Sequence, residues 1–240
     1  MNEGNWLWDL MGFLYDRFFE NFPPYQKLLR EVVENFSLPS TSSACFLDAG
    51  CGTGNFSIEL AKLGFCGVGI DRSAEMVGRA LKKKEEQKLR NLLFLKEDLN
   101  NELSFIDYGI NKILFIHSLF VMDDPNRTLK NLIARIPQGA EIFMCNPYRR
   151  ITKKELLSGG RIFAKQVIQK KGLWMIFYFV FIAMGMGILN LIIQRRKNRI
   201  YHYWSEEEIA ALLRSCGIRI KWLRKSCLAD SHILLCGVKE

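Results

Sequence analysis

Apolar positions along this chain gather in short continuous runs, and stretches with helical spacing lie between them. The run ACFLDAG (44–50) is short, unbroken and bounded by turn signals, as a strand buried on both faces should be. Runs at 67–71, 92–95, 112–118 and 140–146 repeat that signature. The stretches 55–63, 73–89 and 125–136 carry helical spacing, with Ser73 as a cap and Pro125 in a first helical position. Such alternation predicts a parallel sheet with helices on both faces. Upstream, the aromatic-rich stretch 5–22 reads as a short helix ended by Pro23-Pro24. Helical spacing resumes over 25–36 through Leu28, Leu29, Val32, Val33 and Phe36, and 38–43 is a loop. The order breaks over 147–204. It resumes at Ser205 with a capping-box pattern ending in Glu208, a helix to about Cys216-Gly217, and strands over 218–224 and 232–238. The expected organisation is an N-terminal helical lid (1–43), a core (44–146), an insertion (147–204) and a C-terminal completion of the core sheet (205–240).

Composition sharpens this picture at two points. The chain has 240 residues, 49% of them hydrophobic, which suits one α/β domain with an insertion. Its seven cysteines form no C-x-x-C pair, so neither a zinc site nor a redox motif is predicted, and a reducing cytosol suits them better than a disulfide framework. The N-terminal stretch lacks a basic region followed by a small-residue cleavage site, so no secretory leader is expected.

Charge is concentrated. The net charge is +9, yet 149–199 carries twelve basic residues and the single acid Glu155, a local charge of +11. Inside that segment, 173–193 (LWMIFYFVFIAMGMGILNLII) holds no charge. It is long enough to span a bilayer, which takes about 20 apolar residues. A single crossing would place 205–240 on the wrong side of the membrane from the sheet it completes. Three readings remain: an interfacial helix, a shallow re-entrant hairpin turning near Gly185-Met186-Gly187, or a protein-buried lid. Basic flanks around an apolar run favour contact with an anionic bilayer. The aromatic residues Trp6, Trp8, Phe13, Phe18 and Phe19 offer a second interfacial contact.

The chemistry-bearing motif lies between the first strand and first helix: Asp48-Ala49-Gly50-Cys51-Gly52-Thr53-Gly54-Asn55. Glycines here permit a sharp turn and close approach of backbone to a ligand. Asp71 ends the second strand, where a carboxylate meets ribose hydroxyls. Asp98 follows the third strand on the same edge. A nicotinamide dinucleotide site would want glycine at position 55, where Asn55 stands, and an Asp two residues before the first glycine is ill placed for phosphates. It suits an ammonium group instead.

LDAGCGTG, GVGID (67–71), KEDL (96–99), LFIHSLFVMDDP (114–125) and YWSEEEIAALLRSCGI (203–218) stand in the order of the class I S-adenosylmethionine-dependent methyltransferases, and the chain resembles that family over 44–146 and 203–240. The resemblance implies an α/β fold: a Rossmann-like seven-stranded, mostly parallel sheet with helices on both faces, here with an N-terminal helical lid and an apolar helical insertion after the fifth strand. It implies S-adenosylmethionine as cofactor and no metal. Asp48, Gly50, Cys51, Gly52 and Gly54 would hold the methionine part, Asp71 and Arg72 the ribose, and Asp98 and Leu99 the adenine. His117 and Ser118 would face the sulfonium.

Methyl transfer needs alignment and exclusion of water, and a base only when the acceptor must lose a proton. His117 at the end of the fourth strand, His202 in the Tyr-His-Tyr-Trp cluster and Tyr148 are the candidate catalytic residues; His232 reads as structural. Tyr15-Asp16 resembles the N-terminal pair that closes over the cofactor in quinone-type members. Cys145-Asn146-Pro147-Tyr148 is a poor match to the motif of base-amino methyltransferases, lacking its second proline. The expected function is methyl transfer to a hydrophobic small molecule or lipid-like acceptor by a cytoplasmic, peripherally or monotopically membrane-associated enzyme, with nucleic acid disfavoured as partner. The alternatives are an RNA methyltransferase gripping phosphates through the basic segment, and a non-catalytic cofactor-binding or membrane-scaffold protein.

Overall fold

The computed structural model describes residues 22–36, 45–101, 109–150, 201–226 and 230–240. It also describes Gly12, Leu14, Asp16, Phe19, Thr152, Lys154, Glu155 and eight helical positions between 177 and 188. Trp6, Trp8, Phe13, Tyr15, Phe18, Met186, the Lys and Arg residues over 161–199 and most of 173–193 lie outside the described residues.

Seven strands form one sheet: β1 (Cys45–Ala49), β2 (Cys66–Asp71), β3 (Leu92–Lys96), β4 (Ile110–Ile116), β5 (Glu141–Pro147), β6 (Ile218–Ser226) and β7 (His232–Lys239). Their order is β3-β2-β1-β4-β5-β7-β6, with β7 antiparallel to both its neighbours and all other pairs parallel. The helices are α1 (Pro23–Phe36), α2 (Asn55–Lys62), α3 (Ala74–Glu86), α4 (Pro125–Arg135) and α5 (Glu206–Ser215).

Both sheet faces are covered, which is why the central strands are unbroken apolar runs. On one face Leu47, Ile70, Ile113, Phe115, Ile142 and Met144 pack with Leu129 and Leu132 of α4 and Ile209 and Leu213 of α5. On the other, Phe46, Leu114, Ile116, Phe143 and Cys145 pack with Leu28, Val32 and Phe36 of α1, and with Phe56, Ile58 and Leu60 of α2. Pro23 and Pro24 open α1 rather than merely ending what precedes them, because a first turn needs no N–H donors there. Ser73 caps α3 through Met76 N, and Ser205 and Glu208 form the reciprocal capping box of α5.

Both ends of β4 differ from expectation. β4 starts at Ile110, two residues before its expected start, and within it the buried Lys112 is neutralised by Glu141 directly across the β4–β5 register. It ends at Ile116, and His117 takes a left-handed backbone (φ +54°).

Successive strands run outward from β1 in one direction to β3, then restart on its other side at β4. A crevice opens beyond the carboxyl ends of β1 and β4, where such sheets bind ligands.

Candidate active site

The cleft at that switch point has a volume of about 150 Å³ and is open to solvent on one side. β1 delivers Asp48, and the turn after it delivers Gly50, Cys51, Gly52 and Thr53. β2 ends in Asp71 and Arg72, β3 leads to Glu97, Asp98, Leu99 and Asn100, and β4 leads to His117 and Ser118. Tyr25 of α1, Phe56 of α2, Met76 of α3, and Val121 and Met122 supply apolar walls.

The glycine turn is required by shape. Gly50 has φ +81°, and a Cβ there would lie 2.6 Å from the Ser118 Cβ. Gly54 has φ +78°, and its Cβ would lie 2.5 Å from the Phe94 ring. At Gly52, by contrast, a Cβ would meet nothing within 4 Å. Gly52 N donates to Asp71 Oδ2 and Ser73 N to Asp71 Oδ1, each at 2.9 Å, so the carboxylate is held by both turns it joins. Burial nonetheless raises the Asp71 pKa, against those backbone bonds. Asp48 accepts from Ser57 Oγ at 2.6 Å. Burial pushes its carboxyl up to about 7; the Ser57 bond opposes this and the Asp71 charge adds to it. Asp98 is set by the Asn100 backbone N–H (3.0 Å) and side-chain amide (2.7 Å). The Cys51 thiol is buried and held well above its usual range, which keeps it protonated.

Among the described lining residues four are acidic (Asp48, Asp71, Glu97, Asp98) and one, Arg72, is basic. This lining opposes a pyrophosphate and suits a ligand carrying cationic groups. Ser118 Oγ is buried without a hydrogen-bond partner, a donor waiting for a ligand acceptor.

A family model described as "Methyltransferase domain" matches residues 40–206. The chain belongs to the class I S-adenosylmethionine-dependent methyltransferases. The chain is similar to magnesium protoporphyrin IX methyltransferase from Synechocystis PCC 6803, solved with bound SAH. The TM-score is 0.65 at 16% identity, covering 95% of this chain and 93% of that one. In sequence it resembles the 23S rRNA (uracil(1939)-C(5))-methyltransferase RlmD of Haemophilus influenzae, 31% identical over 121 residues, 47% of this chain and 26% of the relative. The same enzyme from Shewanella sp. (strain ANA-3) is 45% identical over 108 residues, 42% of this chain and 22% of the relative. The chain thus spans about a quarter of the length of these relatives.

The cofactor of this methyltransferase family fits the cleft on the observations above. An ammonium and a sulfonium meet acidic lining, the open face at Gly52 admits a bulky group, and the Ser118 hydroxyl lacks an acceptor. Of the eleven cofactor-binding candidates, ten line the cleft: Asp48, Gly50, Cys51, Gly52, Asp71, Arg72, Asp98, Leu99, His117 and Ser118. Gly54 lies beneath it, against Phe94.

The three catalytic candidates separate. His117 lines the cleft. His202 does not: its backbone N–H donates to Phe120 O (3.0 Å) and its ring stacks on Trp204 at 5.7 Å. Tyr148 also lies off the cleft, with the Arg149 guanidinium and the Lys225 ammonium each 5.5 Å from its ring centroid. His232, read from the sequence as structural, has its ring centroid 4.8 Å from that of His117. Cys145 Sγ lies 3.6 Å from His117 Nε2, and Ser231 Oγ lies 2.9 Å from His232 Nδ1. Burial depresses His117 to about 3, with His232 adding to the effect, and burial depresses His232 to about 4, with Arg149 adding. Both imidazoles are therefore neutral at pH 7, so neither adds positive charge against a cationic ligand. Only the antiparallel register that sets His232 beside Pro147 creates this pair, and no local sequence signal carries it. Tyr25, Met76 and Met122 were likewise missed; Met76 was accessible, since its helix opens at the carboxyl edge after Ser73.

Among the described residues no group of three or more His, Cys, Asp or Glu is arranged to hold a metal ion.

Proposed function

We propose that this protein transfers a methyl group from S-adenosylmethionine to a hydrophobic small molecule or lipid-like acceptor at a membrane surface. The observation that carries the acceptor class is an apolar stripe. Phe177, Val180, Phe181, Met184 and Ile188 are helical and exposed, Phe177 and Phe181 by 74% and 75%, while Ile182 is 2% exposed. At about 100° per residue, the five lie within one arc of roughly 100° and Ile182 lies away from it. Exposed apolar surface of this extent calls for a partner. The surrounding segment carries +11, so an anionic bilayer matches it in both respects. Among the described residues no helix is long and apolar enough to cross a membrane. In this reading 1–43 is a lid, 44–146 and 205–240 form the core, and 147–204 is the membrane-contacting insertion.

Bound S-adenosylmethionine supplies a methyl group already activated by its sulfonium. The chain's own residues do the rest. Asp48 and the glycine turn hold the amino-acid part, Asp71 with Arg72 the ribose, and Asp98 with Leu99 the adenine. The apolar walls exclude water. His117, neutral at pH 7, accepts a hydrogen bond from the O–H or N–H of the acceptor and orients its lone pair toward the methyl carbon. His202 and Tyr148, off the cleft, shape the approach of the acceptor.

A second reading, RNA methylation, is favoured by the rRNA-modifying relatives. Incubating the protein with methyl-labelled cofactor, total lipid extract and rRNA separates the two. Label in the organic phase is expected, and label confined to RNA would replace the first reading by the second. Cofactor binding with no label in either fraction would support a non-catalytic role.

A further inference from the structure

His117 and Cys145 are tied together by backbone and by side chain. His117 follows Ile116, whose register partner across the β4–β5 pair is Cys145. Its left-handed backbone (φ +54°) turns the chain at the carboxyl edge of the sheet, and its N–H donates to Cys145 O at 2.8 Å. From that turn the ring reaches β5, with Nε2 lying 3.6 Å from Cys145 Sγ, and His232 of β7 packs beside it at 4.8 Å between ring centroids. Cys145 is fully buried, whereas His117 is half-buried and lines the cleft. Because Nε2 is turned to the sulfur, Nδ1 is the ring nitrogen left for a ligand. Among the described residues nothing else hydrogen-bonds to the His117 side chain.

A neutral imidazole carries one N–H, and its position decides what the ring offers the cleft. Hydrogen on Nδ1 would present a donor; hydrogen on Nε2 presents a lone pair. The lone pair is the negative end of the ring dipole, so it suits a sulfonium as well as the O–H or N–H of the acceptor. That arrangement needs a partner for the inner N–H, because a buried donor without an acceptor is destabilising. A carboxylate beside Nε2 would serve, but it would favour a second proton on the ring and set an imidazolium against a cationic ligand. A thiol fixes the hydrogen without that charge. Burial and His232 hold His117 at about 3, so the ring does not become the cation that a thiolate–imidazolium pair requires. We propose that Cys145 is a positioning residue for methyl transfer: its sulfur accepts the Nε2–H of His117 and so keeps the Nδ1 lone pair toward the acceptor. This rests on the role given to His117 above.

The chain holds three histidines, so long-range proton–nitrogen correlation spectra of the full-length, histidine-labelled protein read each tautomer, with His117→Asn assigning the His117 signals. With and without S-adenosylhomocysteine, His117 is expected in the Nε2–H form. Cys145→Ala leaves that hydrogen without an acceptor and should make the Nδ1–H form the major one. Cys236→Ala, at another buried cysteine of the same apolar layer, should leave the tautomer unchanged. Transfer is then measured with methyl-labelled S-adenosylmethionine on total lipid extract and on rRNA, in whichever fraction takes the label. Cys145→Ala should lower the rate at saturating acceptor about tenfold and change the half-saturating amount less than twofold. A purely packing role would instead move Cys145→Ala and Cys236→Ala alike, without a change of tautomer. Should Cys145→Ala misfold by circular dichroism, the unaltered protein decides: the Nε2–H form upholds the proposal and the Nδ1–H form overturns it. An Nε2–H form persisting in folded Cys145→Ala would overturn the role of Cys145 and leave that of His117 intact. A switched tautomer with an unchanged transfer rate would overturn the orienting role of His117, and the positioning role of Cys145 with it.

Discussion

Burial pushes the Asp48 carboxyl up to about 7 from 3.8, with the Ser57 bond holding it down and the Asp71 charge pushing it further up. The folded chain thus keeps a proton that the unfolded chain has released. This favourable contribution is complete below pH 3.8 and drains away as the pH rises through 7. Asp48→Asn is expected to stabilise the ligand-free protein at pH 8 by roughly 2–4 kcal/mol, read from urea midpoints. A cationic ligand needs the ionised form. Calorimetry should therefore find S-adenosylmethionine binding about tenfold weaker at pH 6 than at pH 8, while the Asp48→Asn variant binds weakly and independently of pH. The histidines carry the opposite sign. His117 and His232 are held at about 3 and about 4 from 6.5, so their neutral burial favours folding above pH 6.5 and is lost as pH falls. Between pH 6 and 5 the unfolded chain holds roughly 1.5 to 1.9 protons on these two histidines that the folded sites refuse. His117→Asn with His232→Phe should flatten the stability–pH slope there by about that number. An unchanged slope would mean the pair is solvated and able to charge. An asparagine in place of His117 tolerates the left-handed backbone, which keeps strain out of the comparison.

Elements were legible where burial is two-sided or a cap is local. β1, β2 and β5 read directly as apolar runs because both faces are covered, and α5 read from Ser205 and Glu208 because the capping box lies within four residues. The Asp71 position read equally well, since it depends only on where β2 ends. Long-range pairings did not read. Lys112 reads as part of the fourth strand, but its burial has no explanation until Glu141 is set opposite it, and His232 looks incidental until β7 enters between β5 and β6. α1 shows the same dependence on its surroundings. Its Phe36 is fully buried, with ring centroids 5.8, 5.2 and 5.0 Å from Phe46, Phe65 and Phe143. Phe36→Ala should cost about 3–5 kcal/mol, whereas Ser205→Ala, removing one cap, should cost about 1 kcal/mol. Equal losses in denaturant titrations would mean that α1 is not anchored by this ring cluster. Because α1 also brings Tyr25 to the cleft, Phe36→Ala should weaken cofactor binding and Ser205→Ala should not.

At the scale of the whole molecule, acid and base are segregated: acidic side chains gather in the cleft at the β1–β4 switch point, and the basic excess lies in 149–199. The cleft therefore selects a cationic small ligand, and the basic segment favours an anionic surface. What distinguishes a bilayer from RNA as that surface is the stripe led by Phe177 and Phe181, because its contribution to binding is apolar. Electrostatic attraction, about 1 kcal/mol for each Lys or Arg near an anionic membrane, is screened by salt. Burial of apolar area, about 25 cal/mol per Å², is not. Co-sedimentation with anionic vesicles should therefore weaken on going from about 0.1 to about 1 M NaCl, where the Debye length falls to about 3 Å, and then level off at a residual affinity. Phe177→Ser with Phe181→Ser should remove that residue of binding and leave the salt-sensitive part. Complete release of the unaltered protein at high salt would mean that the stripe never enters the lipid and that only the charged surface makes contact, the behaviour a phosphate-gripping RNA enzyme would show.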